Sequence, residues 1–277
     1  TSDLKLVKPF ALRLFNLSEK ELGQYLQEVE SKLLEETDYD LELRRSTDIT
    51  QACAHLANLK FPNYYSEYSS ERIITMDWVE GQHLKEFLQG NPSPEACQKI
   101  GQALWDFYDH QVHNLKQVHA DPHPGNFLMQ PEGILGVIDF GCIKEIPEDF
   151  YKGYFKLIRK NIVDNDQEMA DTFMELGIIF ESDTEEEKRF FIDVFKEMIS
   201  LLGRPFHSES FDFADDSYFK EIFDMSERLS NMKELRNSRQ ARGSRHALYI
   251  NRTYFGLYNL LNDLKVKVKT TKPDWLS

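Results

Sequence analysis

The chain has 277 residues, 41% of them hydrophobic, which is enough for a substantial buried core. Its 33 basic and 47 acidic residues give a formal net charge of −14. This charge argues against nonspecific nucleic-acid binding and against docking on an anionic membrane through charge alone.

The cysteine pattern and the hydropathy of the sequence indicate the cellular compartment in which we expect the protein. The three cysteines form no Cys-x-x-Cys pair, which argues against a zinc knuckle or disulfide framework and suits a reducing compartment. The sequence has neither a run of 18 apolar residues nor a signal peptide at its start. We therefore expect no transmembrane segment and a cytoplasmic location, with peripheral contact at the inner face of a membrane left open.

The first eighty residues are predicted to form helices followed by one strand. Apolar residues recur at helical spacing over residues 4–14 and 22–33, and a further helix is expected over residues 41–59. Residues 72–79 are β-branched and aromatic, which predicts a strand closed by Gly81. Trp78 on this strand is predicted to be a core residue.

The middle of the chain reads as helix, loop and hairpin. A short helix is expected over residues 84–88 and a long one ending near His113. The loop His119-Ala-Asp-Pro-His-Pro-Gly-Asn126 follows. Two short apolar runs, 127–129 and 135–139, are then separated by Gln-Pro-Glu-Gly, which indicates a hairpin that brings Asn126 close to Asp139.

The remainder of the chain is predicted to be helical. The apolar spacing favours helices over residues 148–163, 166–177, 185–202, 217–232 and 244–264. Residues 204–216 form the most irregular stretch. The last helix is amphipathic and rich in aromatic residues, which favours core packing and leaves membrane contact as an alternative.

The loop and the Asp-Phe-Gly segment 139–141 contain the candidate catalytic and metal-binding residues. An Asp and an Asn five residues apart, followed by Asp-Phe-Gly after a hairpin, is the arrangement of a kinase catalytic loop and its metal-binding Asp. Asp121 stands where a catalytic base stands, and Asn126 and Asp139 stand where oxygen ligands hold Mg²⁺ beside ATP. His119 is expected to orient the loop by hydrogen bonding.

Other interpretations of the same residues stay open. Asp121, Asn126 and Asp139 could each cap or form a turn. His119-x-Asp121-x-His123 could instead supply metal ligands, as in some metal-dependent hydrolases, with Asp139 as a fourth.

The loop is similar to the catalytic loop of the UbiB/AarF atypical kinases. Glu36-Thr-Asp-Tyr-Asp-Leu-Glu42, Thr75-Met-Asp-Trp-Val-Glu-Gly81 and Val137-Ile-Asp-Phe-Gly141 also resemble motifs of that family, in the same order. The resemblance covers about residues 1–145. It implies a kinase-like α+β fold, mostly α, with a partial N-lobe over residues 1–80 and a helical C-lobe over residues 81–277.

The resemblance also implies roles for individual residues. Asp121 would be the catalytic Asp, and Asn126 and Asp139 the Mg²⁺ ligands. Glu36 would pair with an ATP-binding Lys, with Glu42 as the fallback. Met76 would lie at the back of the adenine pocket, with adenine contacted by backbone groups of Asp77 to Val79.

The elements of the family that bind the phosphates of ATP are not found in the sequence. Gly23 is the one glycine before Gly81, so no Gly-rich loop precedes the predicted hinge. Neither the strand Lys nor the family's alanine-rich loop and Lys-x-Gly-Gln segment is recognisable. We expect the chain to be a fragment or a truncated domain that binds Mg-ATP weakly by itself.

Three functions are compatible with these residues. The first is a UbiB-type kinase or ATPase that uses ATP and Mg²⁺, acts on a lipid or quinone precursor and is linked to ubiquinone or other isoprenoid metabolism. The second is a small-molecule phosphotransferase similar to aminoglycoside or choline kinases. The third is a pseudokinase without activity.

Overall fold

The computed structural model describes residues 38–159, 161–236 and 242–270. The described residues fall into two compact units. The first comprises residues 38–51 and 62–78, and the second comprises residues 52–61 and 79–270. The predicted helices before residue 38, together with Glu36, lie outside the described residues.

The first unit contains helical turns and a compact loop. Helix α1 spans Tyr39–Cys53, with its last two residues in the second unit, and a 3₁₀ turn spans Ser66–Tyr68. The strand predicted over residues 72–79 was wrong: these residues make only isolated bridges, Ser70 to Ile73 and Tyr64 to Met76. Trp78 is 84% exposed, so its prediction as a core residue was also wrong. An apolar and aromatic composition without a partner strand does not produce a sheet.

The second unit is mostly helical. Its first helices are α2 (Leu84–Gln89) and α3 (Pro94–His110), and α3 continues into a π-helical turn over Gln111–Leu115. The Ser93 side chain caps α3 by accepting a hydrogen bond from the Ala96 N–H, and Pro94 occupies the first turn. α3 contributes large buried side chains to the core, among them Ile100, Leu104, Trp105, Phe107 and Tyr108.

The later helices follow the predicted pattern, but the helix predicted over residues 148–163 ends at Lys156 and the helix predicted over residues 166–177 ends at Glu175. They are α4 (Glu148–Lys156), α5 (Asp166–Glu175), α6 (Glu185–Leu202), α7 (Asp216–Asn231), the single turn α8 (Lys233–Arg236) and α9 (Arg245–Asp263). Short 3₁₀ turns span Ile162–Asp164 and Arg204–His207. Within the part of the chain that the structure describes, none of the helices has the length and apolar character to cross a membrane.

The strands of the second unit are short and form three small sheets. β1 (Leu59–Lys60) runs parallel to β4 (Leu135–Val137), which pairs antiparallel with β3 (Phe127–Met129). β2 (Gln117–His119) pairs with β5 (Ile143–Glu145). β6 (Ser210–Asp212) pairs with β7 (Lys267–Lys269), so the stretch predicted to be irregular contains a strand.

Candidate active site

The predicted catalytic loop lies between two short sheets that hold both of its ends. At its start, β2 pairs with β5 so that His119 faces Ile143, and the Ala120 N–H donates to the Cys142 carbonyl at 2.8 Å. At its end, the 3₁₀ turn Pro124–Asn126 leads directly into β3. The loop is therefore fixed by backbone hydrogen bonds to residues on either side of the Asp-Phe-Gly segment.

Local hydrogen bonds make the loop compact. The His123 N–H donates to the Asp121 carbonyl at 2.7 Å, and the Asn126 N–H donates to the His123 carbonyl at 3.0 Å. The Gly125 N–H donates to His123 Nδ1 at 3.0 Å. Together with Pro122 and Pro124, whose rings fix φ, these bonds leave the loop few alternative conformations.

The hairpin brings Asn126 and Asp139 together, as the sequence predicts. Phe127 pairs with Val137, and the Ile138 N–H donates to the Asn126 carbonyl at 3.1 Å. Asp139 then leaves the end of the hairpin as an exposed residue, where its Oδ1 accepts the Gly141 N–H at 2.8 Å.

Asp121 and Asn126 are joined directly. Asn126 Nδ2 donates to the Asp121 carbonyl at 2.8 Å and approaches Asp121 Oδ2 at 3.3 Å. Because the amide nitrogen is used in this way, the Asn126 Oδ1 is left to accept a donor or bind a cation. The structure thus gathers Asp121, Asn126 and Asp139 at one end of the β3–β4 hairpin.

The oxygen atoms at this end fit a magnesium ion. Mg²⁺ binds one or two protein oxygens and completes its shell with water and phosphate oxygens, so it needs no larger protein cage. The Asn126 amide and the Asp139 carboxylate supply such a pair. Across the described ranges, no group of three or more His, Cys, Asp and Glu side chains is placed to hold a metal.

His119 does not orient the loop in the expected way. Its side chain is fully buried, and in the part of the chain that the structure describes neither ring nitrogen has a hydrogen-bond partner. The loop is held instead through the His119 N–H, which donates to Gln111 Oε1 at 2.8 Å. Burial lowers the pKa of His119 to about 4, although the nearby Asp139 and Asp121 oppose this shift. The imidazole is therefore neutral at physiological pH.

The residues predicted to bind adenine are divided between the two units. Met76 and Asp77 belong to the first and Val79 to the second, so the predicted adenine site stays a prediction. The Asp77 N–H already donates to the Asn63 carbonyl at 2.9 Å, and its carboxylate accepts the Tyr65 hydroxyl at 2.7 Å. An adenine contact would therefore use other backbone groups of residues 77–79.

Arg252 is the site residue that the sequence did not single out. Its Nη2 lies 2.5 Å from Asp121 Oδ1, although 131 positions separate the two residues. Arg252 lies on α9, and the same helix touches the loop again at Gly256, where an added Cβ would lie 2.2 Å from Pro122 Cγ. No local motif marks Arg252. The available signal was that the loop itself contains no Lys or Arg.

A solved structure and several curated proteins resemble the chain. The structure of Rv3197 in complex with erythromycin, from Mycobacterium tuberculosis, superposes with a TM-score of 0.69 at 22% identity, covering 96% of this chain and 64% of that one. Since Rv3197 has the kinase-like fold, the predicted fold class, α+β and mostly α, is confirmed.

Among curated relatives, Protein ACTIVITY OF BC1 COMPLEX KINASE 3, chloroplastic, of Arabidopsis thaliana is 31% identical over 131 residues, which is 45% of this chain and 17% of that protein. AarF domain-containing protein kinase 1 of Xenopus tropicalis is 27% identical over 161 residues, which is 55% of this chain and 30% of that protein. The chain therefore spans less than a third of the length of these two relatives.

The model of the ABC1 atypical kinase-like domain matches residues 1–173. This range contains the loop, the hairpin and the Asp-Phe-Gly segment, and it is more than half of the chain. The resemblance to the AarF kinases inferred from the motifs is thereby confirmed. The chain belongs to the ABC1 atypical kinase-like family.

Proposed function

We propose that this chain carries the catalytic half of an ATP-dependent phosphotransferase or ATPase. The observation that carries the proposal is the joint placement of Asp121, Asn126 and Asp139, linked by the Asn126 amide and by the Ile138 hydrogen bond. A base-like carboxylate and two oxygen ligands on neighbouring elements are what phosphoryl transfer requires from this side of a nucleotide site.

The proposed step is in-line transfer of the γ-phosphoryl group. A bond forms between the acceptor oxygen and the γ-phosphorus while the bond from that phosphorus to the bridging β–γ oxygen breaks. ADP leaves with the electron pair, and the acceptor proton passes to Asp121. The acceptor is a hydroxyl group in a kinase and water in an ATPase. Bound through Asn126 and Asp139, Mg²⁺ would neutralise charge on the phosphates.

The remaining parts of the site are proposed from the family resemblance. Glu36 would pair with a Lys that binds the phosphates, and Met76 with the backbone from Asp77 to Val79 would contact adenine. The substrate proposed on the same ground is a lipid or quinone precursor in ubiquinone or other isoprenoid metabolism. A cytoplasmic location with peripheral membrane contact would suit such a substrate.

Asp121→Asn and Asp139→Asn test the proposed chemistry in the full-length protein. Each change should lower ATP turnover by roughly 1000-fold or more, because it removes the base-like carboxylate or a magnesium ligand. Asp166→Asn is the matched control, since Asp166 is exposed and contacts Lys196 at the surface. Unchanged turnover in both site variants would refute the proposal, whereas a lack of ATP turnover in the unchanged protein itself would favour the pseudokinase alternative.

The acceptor class needs a second experiment. ATP consumption should be compared with quinone precursors, amino alcohols and aminoglycosides as candidate acceptors. Stimulation by quinone precursors alone supports the lipid-pathway proposal. Stimulation by an amino alcohol or an aminoglycoside would instead identify a small-molecule phosphotransferase.

A further inference from the structure

The catalytic ribbon, defined as residues 117–145, has an unusual charge distribution. From Gln117 to Ile143 it contains no Lys or Arg, while it carries Asp121, Glu132 and Asp139. The phosphates of ATP add several negative charges to any site built here. A bound metal offsets part of that charge, and any further cation facing the phosphates must come from another part of the chain.

Helix α9 brings Arg252 to this acidic ribbon. In the described part of the chain, the Asp121 carboxylate of the loop forms an ion pair with Arg252 at 2.5 Å. The two nearest lysines, one just before the ribbon and one near its end, have other contacts. Lys116 Nζ lies 3.5 Å from the centre of the Tyr151 ring and donates to the His113 carbonyl, and Lys144 Nζ lies 5.3 Å from the centre of the Tyr249 ring.

The approach of α9 to the loop is a packed contact and does not depend on the ion pair. Gly256 lies one helical turn after Arg252, on the same face of the helix. Its hydrogen-only side chain allows the helix backbone to approach the buried Pro122 so closely that an added Cβ would lie 2.2 Å from the ring. This contact fixes the distance between the start of the Arg252 side chain and Asp121.

Stability does not account for the ion pair. The Arg252 side chain is 59% exposed and that of Asp121 is 35% exposed, and ion pairs in such settings contribute about 0–1 kcal/mol. The exposure has a different consequence. Arg252 has five N–H donors in a planar fork, and one nitrogen contacts Asp121, so the rest of the guanidinium can meet an incoming anion.

The electrostatic influence of Arg252 extends over the site. The pKa of the buried His119 is lowered mainly by burial, raised by Asp139 and Asp121, and lowered by Arg252. The three charged side chains are therefore close enough to act on one buried group. Phosphate oxygens, like carboxylate oxygens, are acceptors that an arginine fork binds strongly, often through two parallel hydrogen bonds.

We propose that Arg252 is a catalytic residue that contacts the phosphoryl group during its transfer, as a cation delivered to the ribbon by α9. The proposal rests on the proposed phosphotransfer function. In the structure the guanidinium contacts Asp121. With nucleotide bound, it would neutralise charge that develops on the transferred group, while Asp121 accepts the proton of the acceptor.

Steady-state kinetics of Arg252→Gln and Arg252→Lys in the full-length protein test this role. Arg252→Gln should lower kcat about 100-fold or more and change the KM for Mg-ATP much less, because the contact is made chiefly in the transition state. Arg252→Lys should keep part of the lost kcat, and guanidinium ion added to Arg252→Gln should restore part of it. Arg204→Gln is the matched control: Arg204 forms an exposed pair with Glu221, and its kcat should stay within about twofold.

Binding of a mimic of the transferred group provides a measurement that needs neither acceptor nor turnover. Arg252→Gln should bind Mg-ADP with aluminium fluoride at least about tenfold more weakly than the unchanged protein, while its affinity for Mg-ADP alone stays the same. Equal affinity for the aluminium fluoride complex would overturn the proposal.

The failure of this proposal is distinguishable from that of the phosphotransfer function. If Arg252→Gln stays within about threefold of the unchanged protein while Asp121→Asn and Asp139→Asn lose activity, the role of Arg252 alone is refuted. If Arg252→Gln loses activity together with several degrees of Tm, and neither lysine nor guanidinium restores it, the residue is structural and the proposal is again overturned. Full activity in the two aspartate variants would refute the underlying function instead.

Discussion

The catalytic ribbon and the helices that follow it contribute to the site in opposite ways. The ribbon places Asp121, Asn126 and Asp139 together through contacts between residues fewer than twenty positions apart. The helices from α4 to α9 contribute Arg252, which reaches Asp121 from 131 positions away. The ribbon carries a local motif, whereas the helical region contributes through packing that no short motif reveals.

Two buried histidines, one in the ribbon and one in contact with the later helices, should give the largest change in the free energy of unfolding with pH. Burial lowers the pKa of His119, in the ribbon, to about 4, and the pKa of His113, which contacts Tyr151 and Tyr254 of the helices, to about 3. Nearby Lys116 reinforces the shift of His113, so the approach of His113 to Asp109 at 3.8 Å is no ion pair at neutral pH.

The direction of the pH dependence follows from these values. Both folded pKa values lie below the ordinary value of 6.5, so the unfolded chain binds protons first as the pH falls. Stability should therefore decrease below pH 6.5 and continue to decrease to about pH 4, by roughly 2 kcal/mol for each histidine between pH 7 and pH 5. Urea denaturation at several pH values measures this slope.

Variants at these two positions show how much each histidine contributes to the pH dependence of stability. His119→Gln and His113→Gln should each make the slope shallower, whatever their effect on stability at pH 7. The control Gln89→Ala changes an exposed residue without a titratable side chain and should leave the slope unchanged. If neither buried histidine alters the slope, their assignment as neutral buried groups is wrong.

The Arg242–Asp183 ion pair lies wholly within the helical region, and its contribution to stability can be measured there. Its guanidinium donates to both Asp183 carboxylate oxygens, at 2.6 and 2.9 Å, and lies 3.5 Å from the centre of the Phe191 ring. Both members of the pair are largely buried. Arg242→Met should therefore destabilise the fold by roughly 2 kcal/mol, because the Asp183 carboxylate loses its charged hydrogen-bond donor.

Thermal and urea denaturation measure this effect. Arg228→Met is the matched control, since the Arg228–Glu197 pair is about half exposed and should contribute little. Equal losses in the two variants would contradict the difference in burial on which the prediction depends. Mg-ATP turnover of folded Arg242→Met should stay close to that of the unchanged protein.

Gly256→Ala tests the junction between the two regions. Replacing glycine by alanine inside a helix ordinarily stabilises it by about 0.5–1 kcal/mol. Here the new methyl group would meet the Pro122 ring, so we expect a net loss of about 1 kcal/mol together with reduced turnover, as α9 and Arg252 move away from Asp121.

The control for this junction lies on the same helix. Asn259→Ala changes an exposed position of α9 and should leave both stability and turnover nearly unchanged. A Gly256→Ala protein that is more stable than the unchanged one and equally active would show that α9 does not press on the loop.

Much of the site could be predicted from the sequence because its elements are local. The predicted hairpin is present, with Phe127 paired to Val137, and α6 and α9 lie within one residue of their predicted bounds. The strand predicted over residues 72–79 failed because an apolar run becomes a strand only where another strand pairs with it.

The interactions of the loop histidine could not be predicted in the same way. A histidine two residues before a catalytic Asp suggests a hydrogen-bonding imidazole, yet the bond is made by its backbone N–H to Gln111. The choice between side chain and backbone depends on which groups surround the residue, and those groups come from the end of α3 and the turn after it.

Local sequence patterns were sufficient to predict the Asp121–Asn126–Asp139 set, the hairpin that joins it and the helical character of the rest, because turn residues and apolar spacing act over a few residues. Long-range packing, in contrast, was needed to show that Arg252 pairs with Asp121, that Gly256 packs on Pro122, and that Ser210–Asp212 forms a strand with Lys267–Lys269. Each of these contacts joins segments more than fifty residues apart, and such partners are selected by how whole helices pack.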